Sequence, residues 1–341
     1  MTTDQAYMAR CLELAQKALG DTYPNPIVGA VITHNDKIIG EGFHQKAGSP
    51  HAEINAISQI KDLSILKEST IYVSLEPCSH FGLTPPCALR LKELGFKRVV
   101  IAVLDPSKKV DGKGVALLKD AGIEVCTGIL EQKAAELNKR FFTSQIKKRP
   151  YITLKWAESA DGFLDDHFKP TAISNSQLNQ WVHLLRHQEH SIFVGTRTAE
   201  RDQPSLTVRH IEGQNPIRVV LDLDLKLSLE SPLFSLEAPT LIMNSKKEEV
   251  LNHVEYIKID SSNLIPSLLQ ELHSRSIQSV LIEGGAQMHK QFLDLRLWDT
   301  AYRIQNTELY LKKGTLAPQI NHPVAQQWTF GNNLLTELKN D

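Results

Sequence analysis

The segments Pro50-His51-Ala52-Glu53, Pro77-Cys78 and Pro86-Cys87 carry one imidazole, two thiols and a carboxyl group. One histidine and two cysteines make three zinc ligands and leave the fourth position to water, which is the make-up of a catalytic zinc site. Bound zinc lowers the pKa of its water towards neutrality and yields a hydroxide nucleophile. Glu53, two residues from His51, is near enough to take that water's proton and return it to a leaving amine without being a ligand. The positive end of a helix would favour a thiolate at Cys87. Taken singly, each residue has an ordinary structural explanation; the four together point to hydrolytic loss of an amino group.

Each of these residues falls at the end of an expected element. Residues 51 to 60 read as a helix, Thr70 to Leu75 as a strand running into Glu76-Pro77-Cys78, and 86 to 94 as a helix ended by Gly95. Upstream, Met8, Leu12, Ala15 and Leu19 recur at helical spacing over 4 to 19. Two strand-like runs, 27 to 33 and 37 to 43, join through His34-Asn35-Asp36 as a hairpin. A strand at 98 to 104 and a helix–strand pair over 114 to 127 continue the alternation, which implies a layered α/β domain. Cys11 and Cys126 read as small packing side chains.

A helical stretch, Glu131 to Gln145, leads to Lys147-Lys148-Arg149-Pro150, and this basic, proline-ended cluster marks the domain boundary. The expected division is 1–147 and 150–341. The second half alternates again: a strand from Tyr151, a helix near 176 to 189, strands at 191 to 195, 217 to 221 and 240 to 244, a helix over 264 to 275, a strand at 279 to 282 and a helix after Gly285. The last twenty residues read as irregular. Strand 279 to 282 runs into Glu283-Gly284-Gly285-Ala286-Gln287, where glycines let backbone N–H groups approach a phosphate at a helix N-terminus. No G-x-G-x-x-G occurs, which argues against a Rossmann fold. Lys155, inside a strand of bulky residues, needs a partner.

The 341 residues suit two domains better than one. With 38 Lys+Arg against 39 Asp+Glu, the formal charge is -1, which argues against a nucleic-acid binder. The four cysteines are too few for a disulfide scaffold, and the N-terminus lacks the basic and apolar regions of a signal peptide. Apolar runs are strand-sized, so no membrane span is expected. The protein is expected in the cytoplasm, acting on a small molecule.

H-x-E with P-C…C is the signature of zinc nucleobase deaminases, with eight residues here between Cys78 and Cys87 instead of two. Pro24-Asn25-Pro26-Ile27-Val28-Gly29-Ala30-Val31, Gly42-Phe43-His44, His51-Ala52-Glu53, Glu76-Pro77-Cys78-Ser79-His80-Phe81-Gly82 and Thr84-Pro85-Pro86-Cys87 resemble the bifunctional riboflavin-biosynthesis deaminase/reductases, whose own spacing is the longer one. The resemblance implies a cytidine-deaminase-like α/β/α layered domain followed by a dihydrofolate-reductase-like α/β domain. It implies one zinc per chain on His51, Cys78 and Cys87, with Glu53 catalytic. The substrate would be a diaminopyrimidinone bearing ribosylamine 5′-phosphate, contacted by Asn25, His44, His80 and Asp105. Lys155-Trp156-Ala157, Gly195-Thr196-Arg197-Thr198, Asp202, Leu206, Arg209 and Glu283-Gly284-Gly285 resemble the reductase half. By that resemblance NADPH reduces the sugar at C1′. Thr198, Asp202, Gly285, Ala286 and Gln287 would hold the cofactor, and Lys155, Arg186, Leu206, Arg209 and Glu283 the substrate. The family also implies a homo-oligomer, a dimer or larger.

The chain departs from the family at Leu83, where Lys or Arg is usual, and at Pro170 and Ala172, where a substrate serine and a cofactor-side tryptophan are expected. Two rival readings follow: a zinc deaminase of nucleic acid, and a deaminase whose second half is a non-catalytic dimerisation or regulatory module. The first wants a basic face interleaved with aromatics, and aromatics make up 6% of this chain. The second draws on Pro170 and Ala172.

Overall fold

The computed structural model describes residues 2–81, 85–107 and 110–340, so Leu83 lies outside the described residues. Two units divide the chain, Met1–Lys148 and Arg149–Asp341.

The first unit runs α1 (Thr3–Gln16), β1 (Gly29–His34), β2 (Lys37–Phe43), α2 (Ala52–Ile57), β3 (Thr70–Val73), α3 (Cys87–Leu94), β4 (Arg98–Ile101), α4 (Lys113–Asp120), β5 (Glu124–Thr127), α5 (Glu131–Leu137) and α6 (Lys139–Lys147). Its sheet has the order β2-β1-β3-β4-β5. The β1–β2 hairpin closes on Asn35 and Asp36, both at positive φ, which a two-residue hairpin turn requires. From β3 onward the strands are parallel, with helices as crossovers. Residues alternate between faces. Ala30, Ile32, Ile71, Val73, Val99 and Ile101 pack with α2, α3 and α4. Val31, Tyr72 and Val100 pack with α1 and α5. Gly42 lets α2 lie directly on β2, since a Cβ there would meet the Ala52 carbonyl oxygen at 2.5 Å. The stretch expected as one helix from 131 is two, broken at Asn138.

The second unit runs β6 (Tyr151–Glu158), α7 (Ser176–Gln188), β7 (Ser191–Gly195), α8 (Thr196–Asp202), β8 (Ile217–Leu221), β9 (Thr240–Asn244), β10 (Glu249–Leu251), β11 (Val254–Lys258), α9 (Leu264–Ser274), β12 (Ser279–Ile282), α10 (Ala286–Asp294), β13 (Thr300–Asn306), β14 (Val324–Phe330) and β15 (Asn333–Lys339). They form one sheet in the order β10-β11-β9-β8-β7-β12-β6-β13-β15-β14, parallel from β11 to β13 and antiparallel at both ends. Helices α9 and α10 cover one face. Helix α7 covers the other, with α8 contributing Ala199.

The last twenty residues are not irregular as expected: β14 and β15 form an antiparallel pair at the sheet edge. Six of the seven residues of β14 are exposed, so it carries no inward apolar alternation to betray it. No described helix is long and apolar enough to cross a membrane.

Candidate functional site

In the first unit the chemistry gathers where β3 and β4 end. His51 is the N-cap of α2, with its ring uninvolved in capping. Cys87 is the first residue of α3, after Pro86 in an extended conformation. Cys78 follows β3 through Glu76 and Pro77. His51 Nδ1 lies 3.2 Å from Cys87 Sγ and 3.5 Å from Cys78 Sγ. The three donor atoms lie within 4.8 Å of one another, and they are the one such group of three or more among the described residues. The Cys87 backbone N–H donates to Cys78 Sγ at 3.2 Å. Hydrogen bonding from Cys87, then from His51, holds the Cys78 thiol well below the ordinary thiol range, while the same partner and burial push Cys87 up. The pair therefore gives up its first proton readily and its second reluctantly. One imidazole and two such thiols converging on a point suit a divalent zinc ion.

Glu53 is buried on the wall of the same cavity, which has a volume of about 490 Å³ and is also lined by Asn25, His44, His80 and Asp105. Burial, reinforced by the Cys78 thiolate, pushes the Glu53 carboxyl up to about 7. Asn25 Nδ2 lies 3.0 Å from His44 Nε2, and His44 Nδ1 lies 3.2 Å from the Pro50 carbonyl oxygen. The carbonyl can only accept, so Nδ1 carries the proton and Nε2 accepts from Asn25. Burial lowers the His44 pKa, in keeping with the neutral ring. The Asn25 amide oxygen is not used in this relay. Burial raises the Asp105 pKa, and its Oδ1 accepts from the Ser107 N–H at 2.7 Å.

Sequence reasoning missed two supports. Asn138 exchanges two hydrogen bonds with the backbone of Ile27, accepting at 3.0 Å and donating at 2.9 Å, and so pins the segment that carries Asn25. Glu76 accepts from four backbone N–H groups and is buried. Each links positions far apart in sequence. The sequence offered two slight signals, an asparagine at position 138 inside a helical stretch and an acidic residue next to Pro77.

In the second unit the cavity, about 300 Å³, lies by the ends of the parallel strands β6, β7 and β12. Ile282 pairs with Leu154, so Glu283 and Lys155, each one residue further on, come side by side. Lys155 Nζ is 3.9 Å from Glu283 Oε2. Arg186, on α7 and mostly buried, donates to both carboxylate oxygens of Glu283. Burial would raise the Glu283 pKa, but Arg186 and Lys155 hold it at about 2. Burial lowers the pKa of Lys155.

Thr198, Asp202 and Gly285 line this cavity, as does Ala172. Gly284 and Gly285 form a cradle, for a Cβ would come 3.1 Å from Met288 Cβ at the first and 3.3 Å from Thr198 Oγ1 at the second. Gly285 caps α10, and the first-turn N–H groups of a helix have no partner within it. A phosphate-bearing cofactor fits such a turn. Ala286 and Gln287 follow in α10 and are not on the cavity wall. Neither Leu206 nor Arg209 lines it. Leu206 is packed in the core beside Leu185 and Val194, and Arg209 donates to Ser205 and Thr207. Arg186 Nη1 donates to the Thr207 carbonyl oxygen at 3.2 Å, which ties that segment to Glu283. His289, also unforeseen, is fully buried between the carbonyl oxygens of Gly285 and Lys155, at 3.3 and 3.1 Å.

Comparison with known proteins agrees with this geometry. Residues 1–103 match the cytidine and deoxycytidylate deaminase zinc-binding region, and residues 150–304 match the RibD C-terminal domain. The riboflavin biosynthesis protein RibD of Aquifex aeolicus is 40% identical over 87% of this chain and 85% of its own length. That of Escherichia coli K12 is 35% identical over 87% and 85%. The Thermotoga maritima diaminohydroxyphosphoribosylaminopyrimidine deaminase/5-amino-6-(5-phosphoribosylamino)uracil reductase superposes with a TM-score of 0.91 at 36% identity, covering 99% of both chains. Acinetobacter baumannii RibD superposes with a TM-score of 0.90 at 34% identity, again over 99% of both.

Proposed function

Because the chain belongs to the RibD family, the bifunctional deaminase/reductases of riboflavin biosynthesis, we propose that it acts on the ribosylaminopyrimidine 5′-phosphates named for its Thermotoga maritima relative. The first unit would deaminate 2,5-diamino-6-ribosylamino-4(3H)-pyrimidinone 5′-phosphate. The second would reduce the ribosyl group of 5-amino-6-(5-phosphoribosylamino)uracil to ribityl. The protein works on these small molecules in the cytoplasm as a homo-oligomer.

His51, Cys78 and Cys87 would hold zinc, which when bound supplies Lewis-acid activation of water. Glu53 takes a proton from the attacking water and delivers it to the departing ring 2-amino group. A carboxyl group poised near 7 can both accept and return a proton at neutral pH. Asn25 offers its amide oxygen to a substrate N–H, because His44 engages its Nδ2. His80 and Asp105 would complete the contacts from the loops that follow β3 and β4.

In the second unit Thr198, Asp202 and the turn at Gly285 to Gln287 would hold NADPH, which when bound supplies the hydride. Lys155 and Glu283 face the sugar. Lys155 holds a proton for the ribose ring oxygen as the ring opens at C1′, and Glu283, kept ionised by Arg186, stabilises the positive charge that develops on the attached nitrogen. Leu206 and Arg209 lie off the cavity wall and would support the substrate site indirectly, from the segment bound to Arg186 through Thr207.

The observation that carries the reading is the convergence of His51, Cys78 and Cys87 beside a buried Glu53 in one cavity. Metal analysis of the purified protein, paired with Glu53→Gln, tests it. The expected result is about one zinc per chain in both proteins and deamination slowed about 10²–10⁴-fold in the variant. A fully active Glu53→Gln would show that another group moves the proton.

A further inference from the structure

Glu76 belongs to neither the donor set nor the substrate contacts, yet its side chain is more fully engaged than any of theirs. Its Oε2 accepts from the backbone N–H of Asp105 at 3.3 Å and of Gly112 at 3.1 Å. Its Oε1 accepts from Gly114 at 3.0 Å and Val115 at 3.2 Å. Its own N–H donates to the Val103 carbonyl oxygen at 3.0 Å. One carboxyl group thus joins three segments: the strand end that leads to Cys78, the loop after β4 that carries Asp105, and the start of α4. Their approach is so close that position 114 must be glycine, since a Cβ there would meet the Pro77 carbonyl oxygen at 2.3 Å.

Capping α4 requires only the Oε1 contacts. The contact to Asp105 belongs to the other oxygen and reaches the cavity. Asp105 is held from two sides, its N–H by Glu76 and its carboxyl by Ser107, whose N–H donates to Oδ1, and the residue lines the cavity wall. We propose that Glu76 is a positioning residue for deamination, setting the carboxyl of Asp105 against the substrate through the Asp105 backbone. This rests on the reading of Asp105 as a substrate contact. A glutamine cannot replace Glu76, because its amide has one accepting oxygen where two are needed and turns N–H hydrogens towards one pair of N–H donors.

The test is a double-mutant cycle on deamination in the full chain, with zinc content measured for each variant. Glu76→Gln is expected to keep zinc, raise KM about tenfold and change kcat little, as for a displaced binding group. Asp105→Ala is expected to raise KM by as much or more. The double variant should be no worse than Asp105→Ala alone, because Glu76 acts through that residue. Effects on KM that multiply would overturn the inference and assign Glu76 a purely structural role. Asp105→Ala without effect on KM would overturn the reading of the substrate site itself, and this inference with it. Should Glu76→Gln fail to fold, the same cycle run with Glu76→Asp gives the same two outcomes.

Discussion

Arg186 grips both carboxylate oxygens of Glu283, Nε to Oε1 at 2.9 Å and Nη2 to Oε2 at 2.8 Å, so a buried anion on the wall of the reductase cavity is matched by a buried cation behind it. Arg186→Met would leave Glu283 with Lys155 alone, at 3.9 Å. Breaking a buried pair from one side costs about 3–5 kcal/mol, to be read from urea unfolding at neutral pH. Glu283 is held at about 2 against a usual 4.5, so the pair's contribution is fully present above 4.5 and is lost as pH falls through 2. The gap between the two proteins should therefore narrow towards about pH 3. A gap as wide there as at neutrality would contradict the pairing.

The Asn138 side chain holds the Ile27 backbone by two buried hydrogen bonds. Asn138→Ala leaves an N–H and a carbonyl without partners, at a cost of about 2–4 kcal/mol in unfolding free energy. Ile27 is two residues from Asn25, so KM for deamination should rise as well. Lost stability with an unchanged KM would show that the clamp does not place Asn25.

The two ligand thiols differ because they share a proton. After zinc is stripped by a chelator, Cys78 should be alkylated at neutral pH much faster than Cys87, since Cys87 and His51 both hydrogen-bond to its sulfur. Cys11, fully buried with its thiol pushed up, should not react. Reloading zinc should protect Cys78. Peptide mapping after a timed pulse of iodoacetamide gives the answer, and equal rates at Cys78 with and without zinc would remove it from the donor set.

Much of the deaminase site was legible because its residues sit at element ends marked by proline: Pro50 before His51, Pro77 before Cys78, Pro86 before Cys87. The α/β alternation was visible for the same reason that the cores are simple, since buried strands such as β4 and β12 carry uninterrupted apolar triplets, Val99-Val100-Ile101 and Val280-Leu281-Ile282. What stayed hidden is long-range. The four N–H groups on Glu76, the clamp from Asn138 to Ile27 and the grip of Arg186 on Glu283 join segments that only the fold brings together. Strand β14 was hidden for the opposite reason, because a solvent-facing edge strand has no core face to pattern it.

The central claim is that one chain performs two consecutive reactions on one pyrimidine phosphate. The direct measurement supplies the diaminopyrimidinone ribosylamine 5′-phosphate to the zinc-loaded protein, with and without NADPH, and identifies the products by mass. Without NADPH the product should have its ring 2-amino group replaced by oxygen and the ribosyl group intact. With NADPH the same product should gain a pair of hydrogens at the opened sugar. Unchanged substrate in both samples, or deamination with no reduction when NADPH is present, would contradict the account.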